Sequence, residues 1–98
     1  MTTHLTLDVD HRDDGAVVVT ADGEIDMTNN GAFRHAVSDA VAQPHTGHVV
    51  IDFRRVQFID SGTIEILFEY ADHIELIANP MLTAVLDVSG ITELVTIT

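Results

Sequence analysis

Leu5, Leu7 and Val9 alternate with Thr6, Asp8 and Asp10 at period two, the pattern of a strand with one wet face. Asp13-Asp14-Gly15 supplies turn chemistry, and the continuous run Ala16-Val17-Val18-Val19-Thr20-Ala21 predicts a second, more central strand closing a hairpin. From Thr28 the period changes: Phe33, Ala36, Val37, Ala40 and Val41 share one helical face, and Arg34, His35, Ser38 and Asp39 share the other. Thr28 or Asn29 is placed to cap this helix, and Pro44 lies just past its end. His48 to Phe53 reads as a buried strand centred on Val49-Val50-Ile51, and Val56 and Phe58 carry the apolar pattern towards Asp60-Ser61-Gly62-Thr63. Ile64, Leu67, Phe68 and Ala71 then fill the i, i+3, i+4, i+7 template, which predicts a helix capped by Asp60 or Ser61 with that stripe turned inward. Ile74 to Ala78 is a short strand, Asn79 a cap, Pro80 the first helical position, and Met81 to Val88 a third helix stopped at Gly90. Ile91 to Thr98 fits a helical turn or a terminal strand equally well.

The order strand, strand, helix, strand, helix, strand, helix requires crossovers between the later strands, hence parallel pairs in a mixed sheet and an α/β class. The 98 residues suit one domain with one core, without an internal repeat or linker. Apolar residues make up 46% of the chain against 20% charged, so burial can offset the ordering entropy despite a formal net charge of −12. No apolar run approaches a membrane span, and the opening Met1-Thr2-Thr3-His4 lacks a secretory pattern, so a soluble, cytoplasmic protein is expected. Absent cysteine removes disulfides, thiol nucleophiles and thiolate metal sites, and absent lysine removes Schiff-base chemistry and a phosphate-loop lysine. Sixteen carboxylates against Arg12, Arg34, Arg54 and Arg55 repel nucleic acid and anionic lipid, and point to a basic or apolar protein partner.

Three segments in order carry a family likeness: Gly23-Glu24-Ile25-Asp26, Val49-Val50-Ile51-Asp52-Phe53 running into Phe58-Ile59-Asp60-Ser61, and Ile77-Ala78-Asn79-Pro80. Together they resemble the STAS domain of bacterial anti-sigma factor antagonists over nearly the whole chain. The resemblance implies a single STAS-like domain over residues 1–98, with a mixed β-sheet of four to five strands packed against helices. It further implies a non-enzymatic binding module in a partner-switching circuit that regulates transcription. The unphosphorylated antagonist binds an anti-sigma factor, itself a serine protein kinase, and thereby releases a sigma factor. Phosphorylation of a hydroxyl at the start of the second helix ends that binding. Carried onto this sequence, the docking surface centres on Asp60, Ser61, Gly62 and Thr63, with Glu24 and Asp26 as an acidic rim. The usual motif is Asp-Ser-Ser-Gly or Asp-Ser-Thr-Gly with the second hydroxyl modified, and here Gly62 holds that position. Ser61 and Thr63 are therefore the phosphorylation candidates. The stretch from Asp60 to Pro80 is also shorter than in most of the family. A STAS subunit that scaffolds a transport or stress-signalling complex without being phosphorylated is the alternative, which Gly62 favours.

On the second helix, Thr63, Ile66 and Tyr70 lie roughly 100° or more from the Ile64, Leu67, Phe68, Ala71 stripe. Ile66 and Tyr70 are then either a docking patch or part of a wide buried face, with Glu65 and Glu69 as an acidic flank. Neither a cofactor nor a metal is expected. Asp22, Glu24 and Asp26 alternate like the start of a calcium loop, but Met27 and Phe33 stand where its glycine and bidentate glutamate belong. His45 and His48 lack a carboxylate third ligand nearby. An acid–base hydrolase built on Asp26 and Asp60 would need a substrate pocket that a domain of this size rarely encloses.

Overall fold

The Asp13-Asp14-Gly15 turn folds as its chemistry requires. Gly15 takes φ 89°, its N–H donates to the Arg12 carbonyl at 3.0 Å, and the Asp14 carboxylate accepts from the Ala16 N–H at 3.0 Å. In the computed structural model, which describes residues 4–98, this turn joins β1 (Leu5–His11) to β2 (Val17–Ile25). There follow α1 (Asn30–Ala42), β3 (Val49–Ile59), α2 (Ser61–Glu69), β4 (Ile74–Ala78) and α3 (Pro80–Ser89), with short 3₁₀ turns at Ala71–His73 and Ile91–Glu93. The four strands form one mixed sheet in the order β1-β2-β3-β4, antiparallel between β1 and β2 and parallel across the two later pairs. The terminal segment uses both options open to it: after its 3₁₀ turn, Ile97 bridges Leu76, and Thr98 N–H donates to the Leu76 carbonyl at 2.9 Å along the outer edge of β4.

Strand periodicity divides the sheet into two faces. Val17, Val19 and Ala21 of β2, Val49, Ile51 and Phe53 of β3, and Ile74 and Leu76 of β4 join Phe33, Val37, Leu67, Leu82 and Leu86 from the helices in one buried cluster. The Phe33 and Phe53 rings lie 5.4 Å apart between α1 and the sheet. The alternate residues Val18, Thr20, Val50 and Asp52 stay outside that cluster. Asp52 is only 6% exposed, and its carboxylate accepts from Arg54 Nη2 at 2.7 Å, Nε at 3.1 Å and backbone N–H at 3.0 Å. These Arg54 bonds hold the Asp52 carboxyl below its ordinary range, against the opposing effect of burial.

β2 and β3 run longer than the apolar runs predict, because two register shifts after Thr20 and Gly23 keep them paired as far as Ile25 and Ile59. Gly23 has φ 121°, and a β-carbon there would come within 2.2 Å of the His4 carbonyl oxygen, which accepts the Glu24 N–H. Asn79 caps α3 through Met81 N–H at 2.8 Å while its Nδ2 faces the β3 carbonyls of Phe53, Arg54 and Val56 at 2.7 to 3.2 Å. Gly90 ends that helix in the left-handed conformation at φ 86°.

The second helix departs from expectation in its orientation. Its buried residues are Thr63, Ile66 and Leu67, whereas Ile64 is half-buried and Phe68 is 39% exposed. Thr63, Ile66, Leu67 and Tyr70 also satisfy the i, i+3, i+4, i+7 spacing, and Leu67 belongs to both stripes. A polar Thr63 argues against this second stripe until its hydroxyl is seen to have a partner in the half-buried Asp60, 2.7 Å away. After Asp60 the chain forms a nine-residue α2 that runs through one 3₁₀ turn into β4.

Candidate functional site

Parallel strands β2 and β3 end side by side, with Glu24 opposite Phe58 and Ile25 opposite Ile59, so the β2–α1 and β3–α2 turns emerge together. This is the edge of a parallel sheet where α/β proteins build sites, because the loops there are not confined by the core. The Asp60 N–H donates to the Ile25 carbonyl at 3.1 Å and joins the two turns through the backbone. Side chains join them again: Asn30 Nδ2, at the first turn of α1, donates to Asp60 Oδ2 at 3.1 Å.

Asp60 is the N-cap of α2. Its Oδ1 accepts the Thr63 N–H at 2.8 Å and the Thr63 hydroxyl at 2.7 Å, while Oδ2 takes Asn30, so both carboxylate oxygens are engaged. Asp26 shapes the neighbouring turn, accepting from Thr28 N–H at 2.9 Å and from the Thr28 hydroxyl, while Asn29 Oδ1 accepts the Asp26 N–H at 2.9 Å. Asn29 thus occupies the cap position of α1 but spends its side chain on this turn rather than on the helix.

Gly62 packs against Asn30. Its φ is not positive, yet a β-carbon there would come within 2.5 Å of Asn30 Nδ2. A side chain at position 62 would therefore have to displace the Asn30 amide. Ser61, at the first position of α2, is exposed.

The expected site residues fall into three groups. Asp60, Ser61 and Gly62 lie in one turn, with Glu24 exposed and Asp26 half-buried on the adjoining one. Thr63 and Ile66, expected at the docking surface, face inward instead: Thr63 is fully buried with its hydroxyl given to Asp60, and Ile66 is 7% exposed on the inner side of α2, so neither offers a side chain to a partner. Tyr70 is half-buried at the end of α2 and packs on the core cluster. Asn30 was not legible as a site residue, since an asparagine after Thr28-Asn29 reads as one more capping candidate, and only the pairing of β2 with β3 brings it to Asp60. Glu69 is held from α1 by Arg34, whose Nη2 lies 2.7 Å from both carboxylate oxygens and whose guanidinium is thereby stabilised in its charged form. Glu65 remains exposed on the same helix.

Beside the turn, α2 and α3 border an open groove of about 410 Å³ lined by Ile59, Ile64, Phe68, Val85 and Val88 together with Asp60, Ser61, Glu65 and Ser89. Among the described residues no cluster of three or more histidine, cysteine or acidic side chains is arranged to hold a metal ion, and no helix is long and apolar enough to cross a membrane.

Residues 7–97 match the family model of the STAS domain. An anti-sigma factor antagonist from Mycobacterium paratuberculosis superimposes with a TM-score of 0.85 at 26% identity, over 96% of this chain and 85% of that one. SpoIIAA in its unphosphorylated form gives 0.75 at 19% identity, over 95% of this chain and 88% of that one. The Bacillus cell fate determinant SpoIIAA in the phosphorylated form gives 0.60 at 21% identity, over 95% and 91%. At those last two identities the likeness is one of fold. No curated protein matches the sequence.

Proposed function

The chain belongs to the STAS domain family, and on that premise we propose that it acts as an anti-sigma factor antagonist, binding an anti-sigma factor of the serine kinase type and releasing the sigma factor it holds. The observation that carries this reading is the Asp60-Ser61-Gly62 turn, with Ser61 exposed, fixed to the end of β2 by the Asp60 N–H and to α1 by Asn30, in a chain that overlays in fold on an antagonist of 26% identity. A surface that is held by its own hydrogen bonds loses little entropy on docking. Catalysis belongs to the partner, which transfers phosphate, and this chain is its ligand and substrate.

Ser61 is the acceptor in this reading. Its hydroxyl is exposed, whereas Thr63 is buried and committed to Asp60. Phosphate at Ser61 would sit at the N-terminus of α2, whose free N–H groups tolerate negative charge, so the modification acts on the partner and not on the fold. It adds roughly −1.5 to −2 charge units at the docking face. The scaffold reading is favoured by a different feature, Gly62, which carries no hydroxyl and packs against the Asn30 amide.

The test is an affinity pull-down from the source organism's lysate with mass spectrometric identification, using Ser61→Arg as control bait because the position is exposed and the change leaves the core alone. An ATP-binding anti-sigma kinase recovered by the wild type and lost with the variant supports the reading. Incubating the recovered kinase with ATP should then place one phosphate on Ser61 and none on Thr63. Transporter or scaffold subunits in place of the kinase, or a chain left unphosphorylated, favour the scaffold.

A further inference from the structure

The chain's asparagines stand at positions 29, 30 and 79, and each meets a different backbone nitrogen. Asn79 precedes Pro80, which has no N–H. Asn29 precedes Asn30, whose N–H donates to the Asp26 carbonyl at 2.8 Å. Asn30 precedes Gly31, which is exposed, and no heavy atom lies within 4 Å of the place its β-carbon would take. An asparagine side chain can close on the nitrogen of the next residue to form a five-membered imide. Closure is fastest onto glycine, which has no side chain to hinder the approach and the widest choice of backbone angles.

A regular helix opposes this closure, because it holds the Gly31 nitrogen away from the Asn30 side-chain carbon, so the reaction waits on opening of the first turn of α1. That turn is weakly held. Asn29 stands at the cap position but accepts the Asp26 N–H, and no side chain caps the helix. No acidic residue lies in the first turn to meet the positive end of the helix. Gly31 itself favours a helix less than any residue except proline. By contrast, α2 and α3 are capped by Asp60 and Asn79. The Asn30 side chain is held by its bond from Nδ2 to Asp60 Oδ2 at 3.1 Å, so the group that would react is the one that joins the two turns.

We propose that Asn30-Gly31 is a site of covalent self-modification that severs the side-chain link between the β2–α1 and β3–α2 turns. The Gly31 nitrogen attacks Asn30 Cγ; the N–Cγ bond forms, the Cγ–Nδ2 bond breaks, and the proton from the Gly31 nitrogen leaves with Nδ2 as ammonia. Water then opens the imide at one of its two C–N bonds. Opening at Cγ leaves aspartate at position 30, and opening at the main-chain carbonyl leaves isoaspartate, whose backbone runs one atom longer through Cγ. Either product replaces the amide donor by a carboxylate facing the acceptor-only carboxylate of Asp60, and like charges at that distance repel. The Asp60 N–H bond to Ile25 and both Thr63 bonds to Asp60 do not involve Asn30, so α2 keeps its cap and the fold persists while the two turns come apart.

The test holds the full, folded chain at physiological temperature and mildly alkaline pH, which favours loss of the Gly31 amide proton, and samples it over days. Intact mass, peptide fragmentation and labelling by an isoaspartyl methyltransferase are the readouts. The wild type should gain the mass that separates an acid from an amide, at position 30 and not at 29 or 79, with isoaspartate at the same position. Asp14-Gly15 and Asp22-Gly23 can close the same ring, but they release water and return to their starting mass, so the mass gain does not report them. Gly31→Ala, set in open space on a helix that alanine favours, should lose the product. The aged chain and Asn30→Asp should shift the same Gly62 and Thr63 amide resonances. Absence of a mass gain, an equal gain at Asn29, equal ageing of Gly31→Ala, or an aged chain with unshifted turn resonances would each overturn the proposal. None of these readouts involves an anti-sigma factor, so the outcome is independent of the functional reading.

Discussion

Asn30, Asp60 and Gly62 act as one unit, since the amide that ties α1 to the cap of α2 is also the group that a side chain at position 62 would have to displace. Gly62→Ala should push the Asn30 amide off Asp60 and cost up to about 1 kcal/mol, the hydrogen bond lost, and should cost nothing once Asn30→Ala has emptied the space. A double-mutant cycle by urea unfolding checks this, and strictly additive costs would show that the two positions do not compete for the same volume. Asp52 provides a separate residue-scale test. Its folded pKa is depressed by Arg54, so its stabilisation is in full effect above the ordinary carboxylate value of about 4 and is lost as pH falls through the folded value. Asp52→Asn should lower stability at pH 7 and flatten the acid limb of the stability curve, measured by thermal unfolding across pH. An unchanged acid limb would mean that Asp52 contributes none of it.

At the scale of elements, Asn79 and Arg34 make opposite predictions although each joins two pieces of secondary structure. Asn79 caps α3 and satisfies carbonyls where β3 leaves regular pairing, so Asn79→Ala should cost about 2 kcal/mol or more. The Arg34–Glu69 pair is more than two-fifths exposed at both ends, and Arg34→Ala should leave the unfolding midpoint nearly unchanged. Chemical denaturation of the two variants separates the cases. The asparagine before Pro80 and the glycine at position 90 announce α3 at both ends, and period two announces β1, because these signals are local. The face of α2 is not local information. Two overlapping stripes share Leu67, and the choice between them depends on a buried hydroxyl finding Asp60, which hydrophobicity alone scores against Thr63. For the same reason the turn of Asp60, Ser61 and Gly62 was visible in the sequence, while its strut, Asn30, appears only when two parallel strands place residues thirty positions apart in contact.

The whole molecule presents one consistent face. The ends of β2 and β3, the exposed Ser61 and the groove between α2 and α3 adjoin one another, and the charges along them are acidic in a chain of net charge −12. A partner matched to that face is basic and apolar, and its association should slow and weaken with added salt, as rim charges chiefly govern encounter. Salt-independent binding would put the interface elsewhere. Release of a sigma factor through capture of its inhibitor by this turn can be followed by displacement. The purified complex of sigma factor with the recovered anti-sigma factor is titrated with this chain, and free sigma factor is followed by size-exclusion chromatography. The wild-type chain should release the sigma factor and take its place on the anti-sigma factor, while Ser61→Arg should leave the complex intact. A sigma factor that stays bound at saturating wild-type chain, or is released equally by Ser61→Arg, would contradict the account.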